Sequence, residues 1–261
     1  MLALIAGTGA LPQVLFAKLS AQGTMPLVCA LDGFVPEIAP HLTFRLEHLG
    51  TFLEDLKARG VRQVCMAGAV RRPNIDPAAI DTATMPLIPR LQAAMAAGDD
   101  GALRGIIQLF EDYGFSVIGA AELVPELLPD TGVLTAAVPS DEDRKDAMLG
   151  DAVMQELGAG DIGQACIIDR GRVIAREGPD GTDAMLDAAA AKGAVLFKAP
   201  KPGQDRRADL PVIGPDTAAK VAAHGMAGIV IEDGGVMVLD LPMVRRTLDR
   251  AGAFLWVRTW D

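Results

Sequence analysis

Residues 1–19 read MLALIAGTGALPQVLFAKL. Leu2–Ala6 form a short apolar run, Gly7 and Gly9 break it, and residues 13–22 place Val14, Leu15 and Leu19 on one side of a helix. Strand, glycine turn and helix are the opening unit of a doubly wound α/β sheet. In that geometry main-chain N–H groups at a helix N-terminus can approach a phosphate. Pro12 stands where the dinucleotide fingerprint wants a third small residue, although Ala10 allows close packing, and Asp32 is the nearest acid for a ribose. A tight turn in any such sheet explains Gly7 and Gly9 equally well.

The same alternation continues outward. PLVCALDG (26–33) and VRQVCMAGAV (61–70) read as buried strands, with a weaker extended piece at 42–46. Leu49, Phe52, Leu53 and Leu56 give a helix over 49–59, and MAAGDDGALRGIIQLFEDYG (95–114) gives another before the strand FSVIGA. Short buried strands separated by amphipathic helices imply right-handed crossovers and a parallel sheet. PELLPDTGVLTAAVPS (125–140) has three prolines and neither period, so it reads as a linker at about 125–139.

Beyond it, Ser140 and Asp143 open a helix in capping-box fashion. QACIID and RVIARE predict a hairpin around Arg170-Gly171, and GIVIE and VMVLD predict a second around Asp233-Gly234-Gly235. Helices are expected over 182–192, 216–224 and 242–250, strands over 194–199 and 254–258. The expected fold is α/β in two domains. Residues 1–130 form a Rossmann-like domain with a parallel sheet, and residues 131–261 a smaller, mixed α/β domain that carries the catalysis.

Composition narrows the function. The net charge is -10 and aromatics are only 4% of the chain, which argues against a nucleic-acid binder needing a basic field and stacking faces. Cys29, Cys65 and Cys166 lie apart in apolar runs, as small buried hydrophobes in a reducing cytoplasm do. His41, His48 and His224 have no metal spacing. The N-terminus lacks a basic leader, and no apolar run reaches the roughly 18 residues of a membrane span. The expected location is the cytoplasm, with peripheral attachment at the inner membrane left open.

Four segments concentrate chemistry. MAGAVRRPN delivers Arg71 and Arg72 at the carboxyl end of a strand, where forked hydrogen bonds suit a phosphate, although a solvated pair fits as well. AAGDDGALR places Asp99 and Asp100 at a helix start, where capping is the ordinary role. EGPDGTDAMLD crowds Glu177, Asp180, Asp183 and Asp187 onto a short arc, whose repulsion a divalent cation would relieve. LFKAPKPGQDRRADLPVIG (196–214) gathers Lys198, Lys201, Arg206 and Arg207 with Asp205 and Asp209 on a loop stiffened by Pro200, Pro202 and Pro211. Cations preset against a polyphosphate beside a carboxylate are what phosphoryl chemistry requires. A charged surface loop is the plain alternative.

Together LIAGTGALP, AGAVRRP, GDDGALR, DIGQACI, GTDAML, KAPKPGQDRRADLPVIG and HGMAGIVIEDGG resemble, in order and spacing, the LpxI-type UDP-2,3-diacylglucosamine pyrophosphatases of bacterial lipid A biosynthesis. Gly203 is a departure, standing where some members carry a bulkier residue. The resemblance implies hydrolysis of a UDP-sugar pyrophosphate to UMP and 2,3-diacylglucosamine 1-phosphate (lipid X), with substrate between two domains and Mg²⁺ or Mn²⁺ as cofactor. It implies Asp209 as the essential carboxylate and Asp183 as a second catalytic group or metal ligand. Lys198, Lys201, Arg206 and Arg207 become a pyrophosphate clamp, with Gly7, Gly9, Arg71, Arg72, Asp99, Asp100, Thr182 and Gln204 as further substrate contacts. Two acyl chains need an apolar groove, for which leucine- and methionine-rich stretches at 85–95 or 185–196 are candidates. Peripheral contact with membrane lipid and a homodimer built on FLWVRTW, with Trp256 and Trp260, complete the expected partners. Two other classes stay in view: a nicotinamide-dependent oxidoreductase resting on Gly7 and Gly9, and a non-catalytic nucleotide-binding module.

Overall fold

The computed structural model describes residues 1–70, 75–96, 98–159, 163–207 and 210–259, with main chain only at 99, 100 and 159. The chain divides into two compact units, Met1–Pro125 with Asp205–Asp209, and Glu126–Gln204 with Leu210–Asp261.

In the first unit β1 (Leu2–Ala6), β2 (Leu27–Leu31), β3 (Leu42–Phe44), β4 (Gln63–Ala67) and β5 (Ser116–Val117) form a sheet of order β3-β2-β1-β4-β5. Every pairing is parallel. The order reverses between β1 and β4, the Rossmann arrangement, so the ligand-binding crevice of such sheets falls at the carboxyl ends of those two strands. Helices α1 (Leu11–Ala21), α2 (Leu49–Ala58), α3 (Ile88–Ala96), α4 (Gly98–Asp112) and α5 (Ala120–Leu123) supply the crossovers and caps. Leu53, Leu56, Leu91, Ile107 and Phe110 of α2, α3 and α4 share one core cluster with Ala3, Cys29 and Val64 of the strands.

The second unit holds β6 (Gly132–Val133), α6 (Asp141–Ala159), β7 (Ala165–Asp169), β8 (Arg172–Arg176), α7 (Gly181–Ala189) and β9 (Val195–Lys198). It continues with β10 (Val212–Ile213), α8 (Pro215–Ala223), β11 (Gly228–Glu232), β12 (Met237–Val238), α9 (Leu241–Ala251) and β13 (Phe254–Arg258). Its main sheet is wider than the first, six strands in the order β6-β13-β11-β9-β7-β8. β9, β11 and β13 run parallel, while β6, β7 and β8 run antiparallel to their neighbours, so the sheet is mixed as expected. Alternation along β9 sends Leu196 into a core with Met185, Leu186, Val221 and Val244, and Phe197 into another with Val153, Met154 and Leu157 of α6. Both faces are therefore covered, which is why these strands read as continuous apolar runs.

Two sequence expectations are borne out closely. The Ser140–Asp143 capping box forms, the Asp143 carboxylate accepting from Ser140 N at 2.8 Å and Ser140 Oγ from Asp143 N at 3.2 Å. The β7–β8 hairpin turns on Arg170 and Gly171, with φ of 49° and 73°. The Asp146 carboxylate accepts from both turn amides, at 2.9 and 2.6 Å. The second predicted hairpin is wrong. β11 already has β9 and β13 on its two edges, so β12 instead pairs in parallel with β10 in a separate two-stranded sheet. The stretch 185–196 is equally unavailable as an acyl groove, because Met185, Leu186 and Leu196 are core. All three cysteines are buried, and burial pushes their thiols up to about 12. Among the described residues no helix is long and apolar enough to cross a membrane.

The segment after β4 is strapped to the N-terminal side of α2 by carboxylates. Buried Glu47 accepts from Asp76 N at 2.9 Å and Arg45 Nη2 at 3.1 Å. Asp81 accepts from Thr51 Oγ1 at 2.6 Å and Thr84 N at 2.7 Å. The Asp76 amide chiefly lowers the Glu47 pKa from its ordinary 4.5. For Asp81 burial works to raise the value, but the bonds from Thr51 and Thr84 outweigh it and leave it below 3.8. Depressed carboxyls stabilise the fold above their unfolded pKa, and that stability drains away as pH falls through the folded value. Glu47→Gln should therefore flatten the loss of stability between about pH 5 and pH 3, measured by urea unfolding. A slope equal to that of the parent chain would remove Glu47 from the strap.

Candidate active site

At the switch point of the first sheet the loops after β1 and β4 are stitched to each other. Gly7 N donates to Ala67 O at 2.8 Å, and Thr8 and Ala69 exchange main-chain bonds of 2.9 Å. A Cβ on Gly7 would stand 2.5 Å from Ala69 O, and one on Gly68 2.7 Å from Thr8 O and 2.8 Å from Pro12 Cγ. The bare surfaces of Gly7 and Gly68 thus admit protein backbone and a proline ring. Gly9, at φ 89°, has open space around it. The first glycine of a dinucleotide fingerprint serves the tight turn, so the packing of Gly7 is common to any such sheet and gives the nicotinamide reading no support of its own. Arg71 and Arg72 lie outside the described residues. Asp99 and Asp100 occupy the first turn of α4, just inside it rather than before it, where the helix dipole favours acids.

Asp205–Asp209 belongs to this first unit. A Cβ on Gly119, just past β5, would lie 3.2 Å from both Arg206 O and Arg207 Cα, so this main chain packs against the chain leaving the carboxyl end of β5. Arg207 is held by two acids: Nε and Nη2 donate to Asp205 at 3.0 and 2.8 Å, and Nη1 to Glu111 of α4 at 2.6 Å. The bonds to Asp205 and then Glu111 raise the Arg207 pKa, and Arg207 in turn keeps Asp205 low. Arg206 is exposed. Asp209 lies outside the described residues.

In the second unit the preceding part of the loop is moulded by proline rings on bare glycines. A Cβ on Gly158 of α6 would meet Pro202 Cδ at 2.3 Å, and one on Gly235 would meet Pro200 Cδ at 2.8 Å. Gln204 Oε1 accepts from Lys201 N at 3.0 Å and from Gln164 Nε2 at 2.8 Å, closing the turn. Gly203, where the family pattern is departed from, has φ 75°, a backbone state in which glycine carries no strain. Lys198 ends β9 only 7% exposed. Its Nζ donates to Thr182 Oγ1 at 2.7 Å; Thr182 donates to Glu177, whose other oxygen accepts from Gln164 N.

Comparison with known proteins fits this division. Residues 1–127 match the family model of the LpxI N-terminal domain and residues 130–256 that of the LpxI C-terminal domain. A protein of Caulobacter vibrioides named UDP-2,3-diacylglucosamine pyrophosphatase LpxI is 36% identical over 268 aligned positions, which cover 97% of this chain and 96% of that one. The chain belongs to the LpxI family.

In this LpxI-family chain the carboxylate arc is not one cluster. Glu177 is buried and fully bonded, Asp187 pairs with Lys220, and Asp183 faces solvent on the first turn of α7. Asp180 stands at the N-cap of α7 without a side-chain cap bond; divergence of the side chains, the hydrogen bonds of Glu177 and the Asp187–Lys220 pair relieve the repulsion that suggested a cation. Among the described residues no three metal-ligating side chains converge. Sequence reasoning missed Arg258 at the end of β13, buried and paired with Asp151 at 2.8 Å. The only advance signal was a basic residue closing an apolar strand. Arg258 lines an open groove of about 310 Å³ with Thr131, Arg144, Met148 and Trp256. Arg144 and Arg258 lie 5.0 and 5.5 Å from the half-buried Trp256 ring, and Trp260 lies outside the described residues.

Gly158→Ala separates helix from loop. Alanine is the better helix former, although so near the end of α6 the gain is below the roughly 0.5–1 kcal/mol of a helix interior. The new methyl also pushes Pro202 away, so the expected result is faster hydrogen exchange at the Lys201 and Gln204 amides. A more stable variant with unchanged exchange there would show that the proline contact does not shape the loop.

Proposed function

We propose that this chain hydrolyses the pyrophosphate bond of UDP-2,3-diacylglucosamine, releasing UMP and 2,3-diacylglucosamine 1-phosphate (lipid X), a step of lipid A biosynthesis. The observation that carries the reading is the end-to-end relationship, 36% identity over 97% of the chain, to a protein named for that activity. The proline-moulded cationic loop supports it from the side of chemistry.

Residues 1–130 act as the Rossmann-like domain and residues 131–261 as the catalytic domain. A water oxygen bonds to one phosphorus while the bridging P–O bond breaks, and the bridging oxygen leaves with the other phosphate. Asp209 orients that water and takes its proton. Lys198, Lys201 and Arg206 offset charge growing on the non-bridging oxygens. Arg207 already answers Asp205 and Glu111, so its contribution is mainly to hold the segment bearing Asp209. Gly9, Arg71, Arg72, Asp99, Asp100, Thr182 and Gln204 complete the substrate contacts, with Gly7 shaping the turn.

The proposed cofactor is a divalent ion. Mg²⁺ is commonly held by one or two carboxylates with substrate phosphates, and Asp183 and Asp209 are the carboxylates offered. When bound, it would add Lewis-acid stabilisation of the phosphoryl oxygens. Location in the cytoplasm with peripheral lipid contact fits a substrate carrying two acyl chains.

The purified chain should release UMP from UDP-2,3-diacylglucosamine, lose the activity in EDTA and regain it with Mg²⁺ or Mn²⁺. Asp209→Ala should abolish release while melting and substrate binding stay near those of the parent. Activity that survives EDTA would remove the metal, and full activity in Asp209→Ala would remove that carboxylate.

A further inference from the structure

We infer that Glu177 is a positioning residue that aims the Lys198 ammonium at the diphosphate through the hydroxyl of Thr182. The inference rests on the proposed hydrolysis, and it adds a residue to which the preceding scheme gives no task.

Glu177 follows β8, Thr182 lies in the first turn of α7, and Lys198 ends β9, so three elements meet at this chain of bonds. Glu177 is 8% exposed and Lys198 7%, which takes both out of bulk water, where an uncompensated charge is costly. The order of donors is fixed by chemistry. Thr182 has one hydroxyl proton, and it goes to Glu177 Oε1, so the Thr182 oxygen can only accept from Lys198. Glu177 Oε2 is in turn fixed by Gln164 N, immediately before β7. A hydroxyl with its proton committed offers only its lone pairs, on the side away from that proton. The bond to Thr182 fixes the direction of one N–H of the ammonium and so helps to set its orientation.

The Glu177 carboxylate reaches Lys198 through a hydroxyl on a helix whose start carries the GTDAM motif, and Lys198 opens the proline-moulded loop. Preset donors cost no reorganisation when charge develops, which is where such a relay would act. Glutamine at 177 keeps the volume but sets an N–H₂ group against either the Gln164 amide or the Thr182 hydroxyl proton.

The test measures kcat and KM for UMP release. It uses the parent chain, Glu177→Gln, Thr182→Val, Thr182→Ser, Lys198→Met and the double variant Glu177→Gln/Lys198→Met. Misaiming one donor should lower kcat by up to about 100-fold in Glu177→Gln, with a much smaller change in KM. Thr182→Ser should recover most of what Thr182→Val loses. In the Lys198→Met background Glu177→Gln should add less than about threefold, because its effect passes through that lysine. Additive losses, or a Glu177→Gln chain of ordinary kcat, would overturn the inference. If Glu177→Gln fails to fold, the Thr182→Val and Thr182→Ser pair, crossed with Lys198→Met, decides the same point. Should the parent chain release no UMP, the hydrolase reading fails and the relay falls with it; release by the parent chain with additive losses in the variants overturns the relay alone.

Discussion

The rings of Pro200 and Pro202 rest on main chain that Gly235 and Gly158 leave bare, and the cationic loop takes its shape from that contact. Proline fixes φ and has no N–H to anchor it, so such a loop is held mainly by what its rings touch. One glycine belongs to α6 and the other follows β11. The loop is thereby referred to a helix and to the central strands of the sheet, with the Gln164–Gln204 bond closing it. Charged side chains on a freely moving loop would have to be ordered by substrate; on a moulded loop that entropy is lost during folding.

Buried and half-buried carboxylates in both units are met by the same device. Glu47 and Asp81 in the first unit, and Glu177 and Asp146 in the second, each collect main-chain or hydroxyl hydrogen bonds. Acidic side chains used this way are joints, and they tie irregular segments onto regular ones. That reading also covers Arg207, whose two carboxylate partners fix that stretch of the chain.

Element types were legible because periodicity reports burial directly: β1, β4, β7 and β9 are apolar runs ending in glycine or charge, and each is a strand. The pairing of strands was less so. GIVIE and VMVLD flank a turn-like DGG, yet β11 lies between two other strands, a fact that belongs to the sheet and not to the turn. Within the candidate site, Lys198, Thr182 and Gln204 were singled out by sequence, but their mutual bonds were not. Contacts between positions 164 and 204, or 111 and 207, depend on tertiary packing, which no local pattern encodes. The acidic arc misled for the same reason: neighbours in sequence, Glu177 and Asp183, diverge into core and solvent.

The return of Asp205–Asp209 to the first unit has a consequence for how the molecule is made. Synthesis runs from the N-terminus, so the opening α/β layer emerges from the ribosome long before the strip that packs beside the end of β5. Separating the halves genetically at the Pro125–Glu126 junction would leave each piece with a defect, one missing a segment and the other carrying it as an orphan. Each half has its own sheet, but the first has its full set of contacts only once the chain extends past residue 209.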